Sequence, residues 1–156
     1  MAENKQYVGF MMGSEHYGVD IMAVEEIIRP MDITPVPRAP SFVEGIINLR
    51  GRIIPVVDLR NRLNIPIAGN VDNMRIIVMR IDNRRLGFIV DRVEEVMHIA
   101  VDHIEIPSGV SSQSHHYVEG VARTKKGIDG KEYMVILLDI LKIFTPDEHV
   151  QILNIK

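Results

Sequence analysis

The sequence predicts an all-β protein, a duplicated domain in which each copy is a small barrel of about five short strands. The first sign is a pair of short apolar runs, Ile46-Ile47-Asn48-Leu49 and Ile53-Ile54-Pro55-Val56-Val57, flanking Arg50-Gly51. Both are β-branched and too short for a helix that must bury a stripe, so they read as strands. Gly51 supplies the φ freedom of a tight turn, which makes Arg50-Gly51 a hairpin tip with an exposed arginine. The second sign is an internal repeat. Gly18-Val19-x-Ile21-x-x-Val24-Glu25-Glu26-Ile27 recurs as Gly87-Phe88-x-Val90-x-x-Val93-Glu94-Glu95-Val96. Residues 32–37 recur as 102–107, Glu44-Gly45 as Glu119-Gly120, and Val57-Asp58-Leu59 with Leu63 as Leu138-Asp139-Ile140 with Phe144. A barrel that small buries little surface alone, so the two copies should share an interface.

Taken in order, residues 7–13 form a first strand, Ser14-Glu15 a turn and residues 16–21 a second strand. Residues 22–29 predict one or two helical turns with Val24, Ile27 and Ile28 on one side, ended by Pro30. Pro35, Pro37 and Pro40 make residues 32–40 extended connecting chain. The hairpin follows, and Asp58 N-caps a helical turn over residues 59–63. Residues 64–73, rich in Asn, Asp, Gly and Pro, are the linker candidate. Residues 74–81 and 84–90 form strands about an Asp82-Asn83 turn. Residues 107–117 read as a polar loop, and residues 124–131 as a longer polar counterpart of the Arg50-Gly51 turn. Asp139 caps as Asp58 does. Thr145 at N-cap, Pro146 at N1 and Glu148 at N3 open a C-terminal helix over about 145–154. The chain, 1–156, is one domain with subdomains at about 16–73 and 74–144, and exchange of edge strands between them stays open.

The 156 residues are 46% hydrophobic with a net charge of −3, which supports a packed core and argues against a nucleic-acid binder relying on bulk basicity. There is no cysteine, hence no disulfide or thiolate chemistry, and the start has no signal-peptide pattern. His98, His103, His115 and His116 lack the i, i+4 spacing and HExxH pattern of a zinc hydrolase. Ser111, Ser112 and Ser114 lack a nucleophile elbow, and no phosphate-cradling glycine loop occurs. Asp58 and Asp139 are caps rather than a catalytic carboxylate pair. The residues alone therefore describe a non-catalytic interaction module without metal or cofactor. Two other readings are a small metal-dependent hydrolase built on the four histidines and a nucleic-acid-binding barrel using Arg50, Arg52, Arg60 and Arg62.

The stretch GIINLRGRIIPVVDLR resembles the signature of the CheW family, with Gly45, Asn48, Leu49, Arg50, Gly51, Pro55, Asp58, Leu59 and Arg60 matching in order. The resemblance extends over roughly residues 7–144. It implies two intertwined SH3-like five-stranded β-barrels with short helices. It also implies a cytoplasmic chemotaxis adaptor that couples methyl-accepting chemoreceptors to the histidine kinase CheA by binding alone, membrane-associated only through receptors. Service in a non-flagellar chemosensory pathway fits equally. By local motif, Val24, Glu26, Gly45 and Arg50 carry over as receptor contacts, and the repeat adds Val96. Kinase contact is expected near Arg75 and Ile76.

Overall fold

The computed structural model describes residues 3–67, 71–106, 117–126 and 131–153. Among them run β1 (Asn4–Met12), β2 (Glu15–Asp20), β3 (Val24–Ile28), β4 (Val43–Leu49), β5 (Arg52–Asp58), the short helix α1 (Leu59–Arg62), β6 (Arg75–Ile81), β7 (Arg84–Val90), β8 (Arg92–Ala100), β9 (Val118–Lys126), β10 (Lys131–Leu138) and the helix α2 (Pro146–Leu153). Single 3₁₀ turns lie at Ile21–Ala23, Val71–Asn73, Val101–His103 and Ile140–Lys142. The protein is all-β with two five-stranded SH3-like sheets and a few short helices, as expected.

One sheet has the order β8-β1-β2-β10-β9 and the other β3-β6-β7-β5-β4. Advancing each strand by one repeat, β1 to β6 and β8 back to β3, converts the first order into the second. The first hairpin, β1–β2, thus pairs with strands of the second half, and β6–β7 pairs with strands of the first. The parallel ladders have matching register. Val56 and Val57 face Gly87 and Phe88, while Leu137 and Leu138 face Gly18 and Val19. The repeat in the sequence is therefore a repeat in topology.

The central strands are buried on both faces, and their side chains alternate between faces to build three apolar clusters. One barrel holds Tyr7, Met97, Ile99, Val135 and Leu137, and the other Ile47, Ile54, Val56, Ile76 and Ile89. The largest cluster takes Phe10 and Val19 from one sheet, Ile77 and Phe88 from the other, and Phe144 and Ile152 from the C-terminal segment. The two sheets therefore share a core, which supplies the burial that neither has alone.

Residues 22–29 depart from the expected helix. They form a 3₁₀ turn followed by β3, whose residues pair with β6 from Ile28–Ile76 to Val24–Met79. Val24, Ile27 and Ile28 are β-branched, and in-register pairing outranks their weak helical spacing. The first turn lies at Gly13-Ser14, and the linker candidate contains the 3₁₀ turn at Val71–Asn73. The expected polar loop at 107–117 falls almost wholly outside the described residues, as does the tip of the 124–131 turn.

The C-terminal helix is capped as the sequence predicts. The Thr145 hydroxyl accepts from the Glu148 amide (3.1 Å), and Glu148 accepts from the Thr145 amide (2.8 Å). Arg62 locks this helix to the body. It donates to Glu148 (2.8 Å) and to the Ile143 carbonyl (2.9 Å), and lies against the Phe42 and Phe144 rings. Burial pushes the Glu148 carboxyl up, but the Thr145 amide and the Arg62 guanidinium outweigh it and hold the group below the usual carboxylate range. A folded pKa below the unfolded one gives stability that is present above the unfolded pKa and lost as pH falls through the folded value. Glu148→Gln should thus cost about 1–2 kcal/mol at neutral pH. Its urea midpoint should converge with the parent's in acid, where both residues are neutral.

Candidate docking site

The hairpin between β4 and β5 turns at Arg50 (φ 52°) and Gly51 (φ 85°), the paired left-handed residues of a type I′ turn. The Asn48 side chain accepts from the Gly51 amide at 2.9 Å, fixing the turn locally. The Arg50 side chain is 69% exposed, yet it is ion-paired with Glu26 of β3. A bulge between Val24 and Glu26 shifts the β3 register. Bulges of this kind re-aim side chains, and here both glutamates of the strand end face cations: Glu26 meets Arg50 and Glu25 meets Arg85. The hydrogen bond from Arg85 holds the Glu25 carboxyl below its usual range. These four charges and Arg52 line a depression of about 310 Å³ together with Ile54 and Val78. Opposite charges fixed around a partly apolar hollow suit a partner that alternates apolar and charged groups.

The structure brings Glu26 and Arg50 into contact and sets Val24 two residues away on β3. Val24 is half-buried against the shared core. Val96 is 44% exposed but lies in the other sheet, on β8, opposite Val8. In the repeat it corresponds to Ile27, and the counterpart of Val24 is Val93, which packs on the same shared core.

Gly45, expected as a receptor contact, has a packing role in the structure. It is buried, and a Cβ there would lie 2.4 Å from the Thr34 carbonyl oxygen. Thr34 and Ile46 exchange backbone hydrogen bonds, each 2.9 Å, across this spot. Glycine is present so that the 33–34 segment can lie on β4. Ile76, expected at the kinase contact, is 1% exposed and packs with Ile47, Val56 and Val78 in the core of its barrel. Arg75 is half-buried, with its guanidinium donating to the carbonyls of Met74 (2.6 Å) and Asp72 (3.0 Å).

Sequence reasoning missed a buried ion-pair network. Asp58 caps α1 as expected, accepting from the Arg60 amide at 3.0 Å. Its carboxylate also takes a forked pair of bonds from the Arg60 guanidinium, both 2.9 Å. The third guanidinium nitrogen donates to Asp91 at 2.8 Å, and Asp91 accepts from the Gly13 amide at 2.7 Å. Hydrogen bonding to Asp58, then to Asp91, raises the Arg60 pKa beyond its already high ordinary value despite burial. The signal available in the sequence was an arginine two residues after a capping aspartate at the end of a buried strand.

That network also removes the four-arginine nucleic-acid face. Arg60 is 5% exposed between carboxylates, and Arg62 is tied to Glu148 and two phenylalanines. Of the four histidines, His98 lies on β8 with its ring 3.4 Å from the Gln6 amide, and His103 lies in a 3₁₀ turn. His115 and His116 fall outside the described residues, and among those described no three His, Asp or Glu side chains converge as metal donors. No described helix is long and apolar enough to cross a membrane.

The paired five-stranded SH3-like sheets place the protein in the CheW-like fold class. The CheW-like domain family matches residues 6–148. The chemotaxis protein CheW of Treponema pallidum is 34% identical, covering 98% of this chain and 89% of that one. The chemotaxis protein CheW of Thermotoga maritima is 38% identical, covering 88% and 86%. The crystal structure of the scaffolding protein TtCheW from Thermoanaerobacter tengcongensis superposes with a TM-score of 0.79 at 38% identity, covering 95% of this chain and 91% of that one. The chain belongs to the CheW-like family of chemotaxis signal-transduction adaptors.

Proposed function

We propose that this chain couples methyl-accepting chemoreceptors to the histidine kinase CheA by protein–protein binding, without catalysis or cofactor. The observation that carries the reading is the Arg50–Glu26 pair, held at an exposed hairpin tip beside Val24 in a CheW-like fold. An antiparallel coiled-coil receptor tip offers an apolar stripe flanked by charge. Val24 and the partly exposed Val96 supply apolar contact, Arg50 and Glu26 supply the charged rim, and Gly45 shapes the strand beneath. The regulatory domain of the kinase, itself CheW-like, docks at the strand ends around Arg75, with Ile76 supporting the surface from inside. The protein works in the cytoplasm and reaches the inner membrane through receptor arrays, with no role for nucleic acid.

The test is CheA autophosphorylation with receptor-containing membranes, with and without this protein. Activity that rises only when all three are present supports the reading, and no rise with a kinase and receptor competent with another adaptor overturns it. Arg50→Glu should fold normally, because the side chain is mostly solvated, yet lower receptor coupling by about tenfold or more. It replaces an attraction with repulsion towards Glu26 and the receptor carboxylates. Wild-type coupling with an unchanged circular dichroism spectrum would remove Arg50 from the site.

A further inference from the structure

The two halves treat one equivalent position in opposite ways. At the end of β5, Asp58 caps a helical turn and binds Arg60, whose guanidinium continues to Asp91. At the end of β10, Asp139 caps its turn in the same manner, accepting from the Leu141 amide at 3.1 Å. The matching registers of the two parallel ladders make Asp139 the counterpart of Asp58, Leu141 of Arg60 and Met22 of Asp91. The position filled by an internal arginine in one barrel is therefore open in the other. Met22 is 87% exposed and Leu141 49% exposed. Between them lies a groove of about 530 Å³, lined also by Val19, Leu138 and Ile140, with Asp20, Glu119 and Asp139 at its edges.

The charge of the groove says what it takes. Lys5 sits 3.4 Å from Glu119 and 3.7 Å from Asp20, and Tyr7 donates to Glu119. Lys142 reaches Asp139 only at 4.0 Å and is itself largely solvated. Three carboxylates against two ammonium groups leave the groove acidic, above an apolar floor. We propose that this groove is a docking site for a protein segment that presents an arginine beside a leucine-like side chain. The arginine stem lies along Met22 and Leu141, and its guanidinium forks onto Asp139 as Arg60 forks onto Asp58. The missing internal arginine is then supplied by the partner. This site is separate from the Arg50–Glu26 rim, and its test does not depend on receptor coupling.

The probe is a short helical peptide with a Leu-Arg-Leu centre, titrated into the isotope-labelled protein and followed by amide chemical shifts. A twin peptide with glutamate in place of arginine is the control. The expected result is saturable shifts at Met22, Asp139 and Leu141 with the arginine peptide, at least about tenfold weaker with the glutamate peptide. Leu141→Arg with Met22→Asp rebuilds the filled position of the other barrel and should abolish those shifts in a folded protein. Asp139→Asn, which keeps an N-capping residue, should weaken binding about tenfold and carries the test by itself where the double variant does not fold. No shifts with the arginine peptide, equal affinity for both peptides, or undiminished binding by the folded double variant or by Asp139→Asn would each overturn the proposal.

Discussion

Arg60→Met is expected to destabilise the protein by about 3–5 kcal/mol, because it strands two buried carboxylates. Asp58 and Asp91 keep their burial and lose the cation that both face. Against a typical total stability of about 5–15 kcal/mol, that is a large fraction. The loss reaches beyond one helix turn. Arg60 stands at the end of β5, Asp91 on the crossover from β7 to β8, and Gly13 in the first hairpin turn. The network therefore joins one sheet to the hairpin of the other. Urea unfolding should show a lower midpoint with an unchanged slope. Adding Asp58→Asn and Asp91→Asn should recover more than half of the loss, since neutral amides tolerate the site without a cation. If the triple variant is no better than Arg60→Met, lost packing rather than uncompensated charge is the cause.

Local chemistry was legible in the sequence and long-range pairing was not. The turn at Arg50-Gly51, the caps at Asp58 and Asp139, and the Thr145–Glu148 box depend on residues within about one turn of each other, so their spacing alone identifies them. The repeat established that the halves are equivalent. It could not say which hairpin pairs with which sheet, because equivalence holds whether or not strands are exchanged. Residues 22–29 failed for a related reason: over so short a run Val24, Ile27 and Ile28 satisfy a helical spacing, and only the ladder to β6 decides for strand. Glu26 and Arg50 came from the family motif, and in the structure they form an ion pair between β3 and the β4–β5 hairpin. Arg60 looked like one of four surface arginines because its second partner, Asp91, is 31 residues away.

Gly45→Ala is expected to cost about 3 kcal/mol, at the upper end of the usual overpacking range. The added Cβ would meet the Thr34 carbonyl oxygen at 2.4 Å and the Thr34 carbonyl carbon at 2.9 Å. Backbone cannot swing aside as a side-chain tip can, so the strain has to separate Thr34 from Ile46 and break their paired hydrogen bonds. The repeat supplies an internal comparison. A Cβ at Gly120 would first meet the Ile104 Cγ2 at 2.5 Å, a side-chain atom, with the Glu105 carbonyl oxygen at 3.1 Å. Rotation of Ile104 relieves most of that clash, so Gly120→Ala should cost about 1 kcal/mol. Thermal unfolding of the two variants side by side measures the difference, and equal losses would show that the Thr34 backbone yields as readily as the Ile104 side chain. The pair also separates packing from docking. A coupling defect in Gly45→Ala should track its lowered melting midpoint and ease on cooling, whereas the defect in Arg50→Glu should persist at every temperature at which the protein is folded. A Gly45→Ala variant with a normal melt and no coupling would return that residue to the docking surface itself.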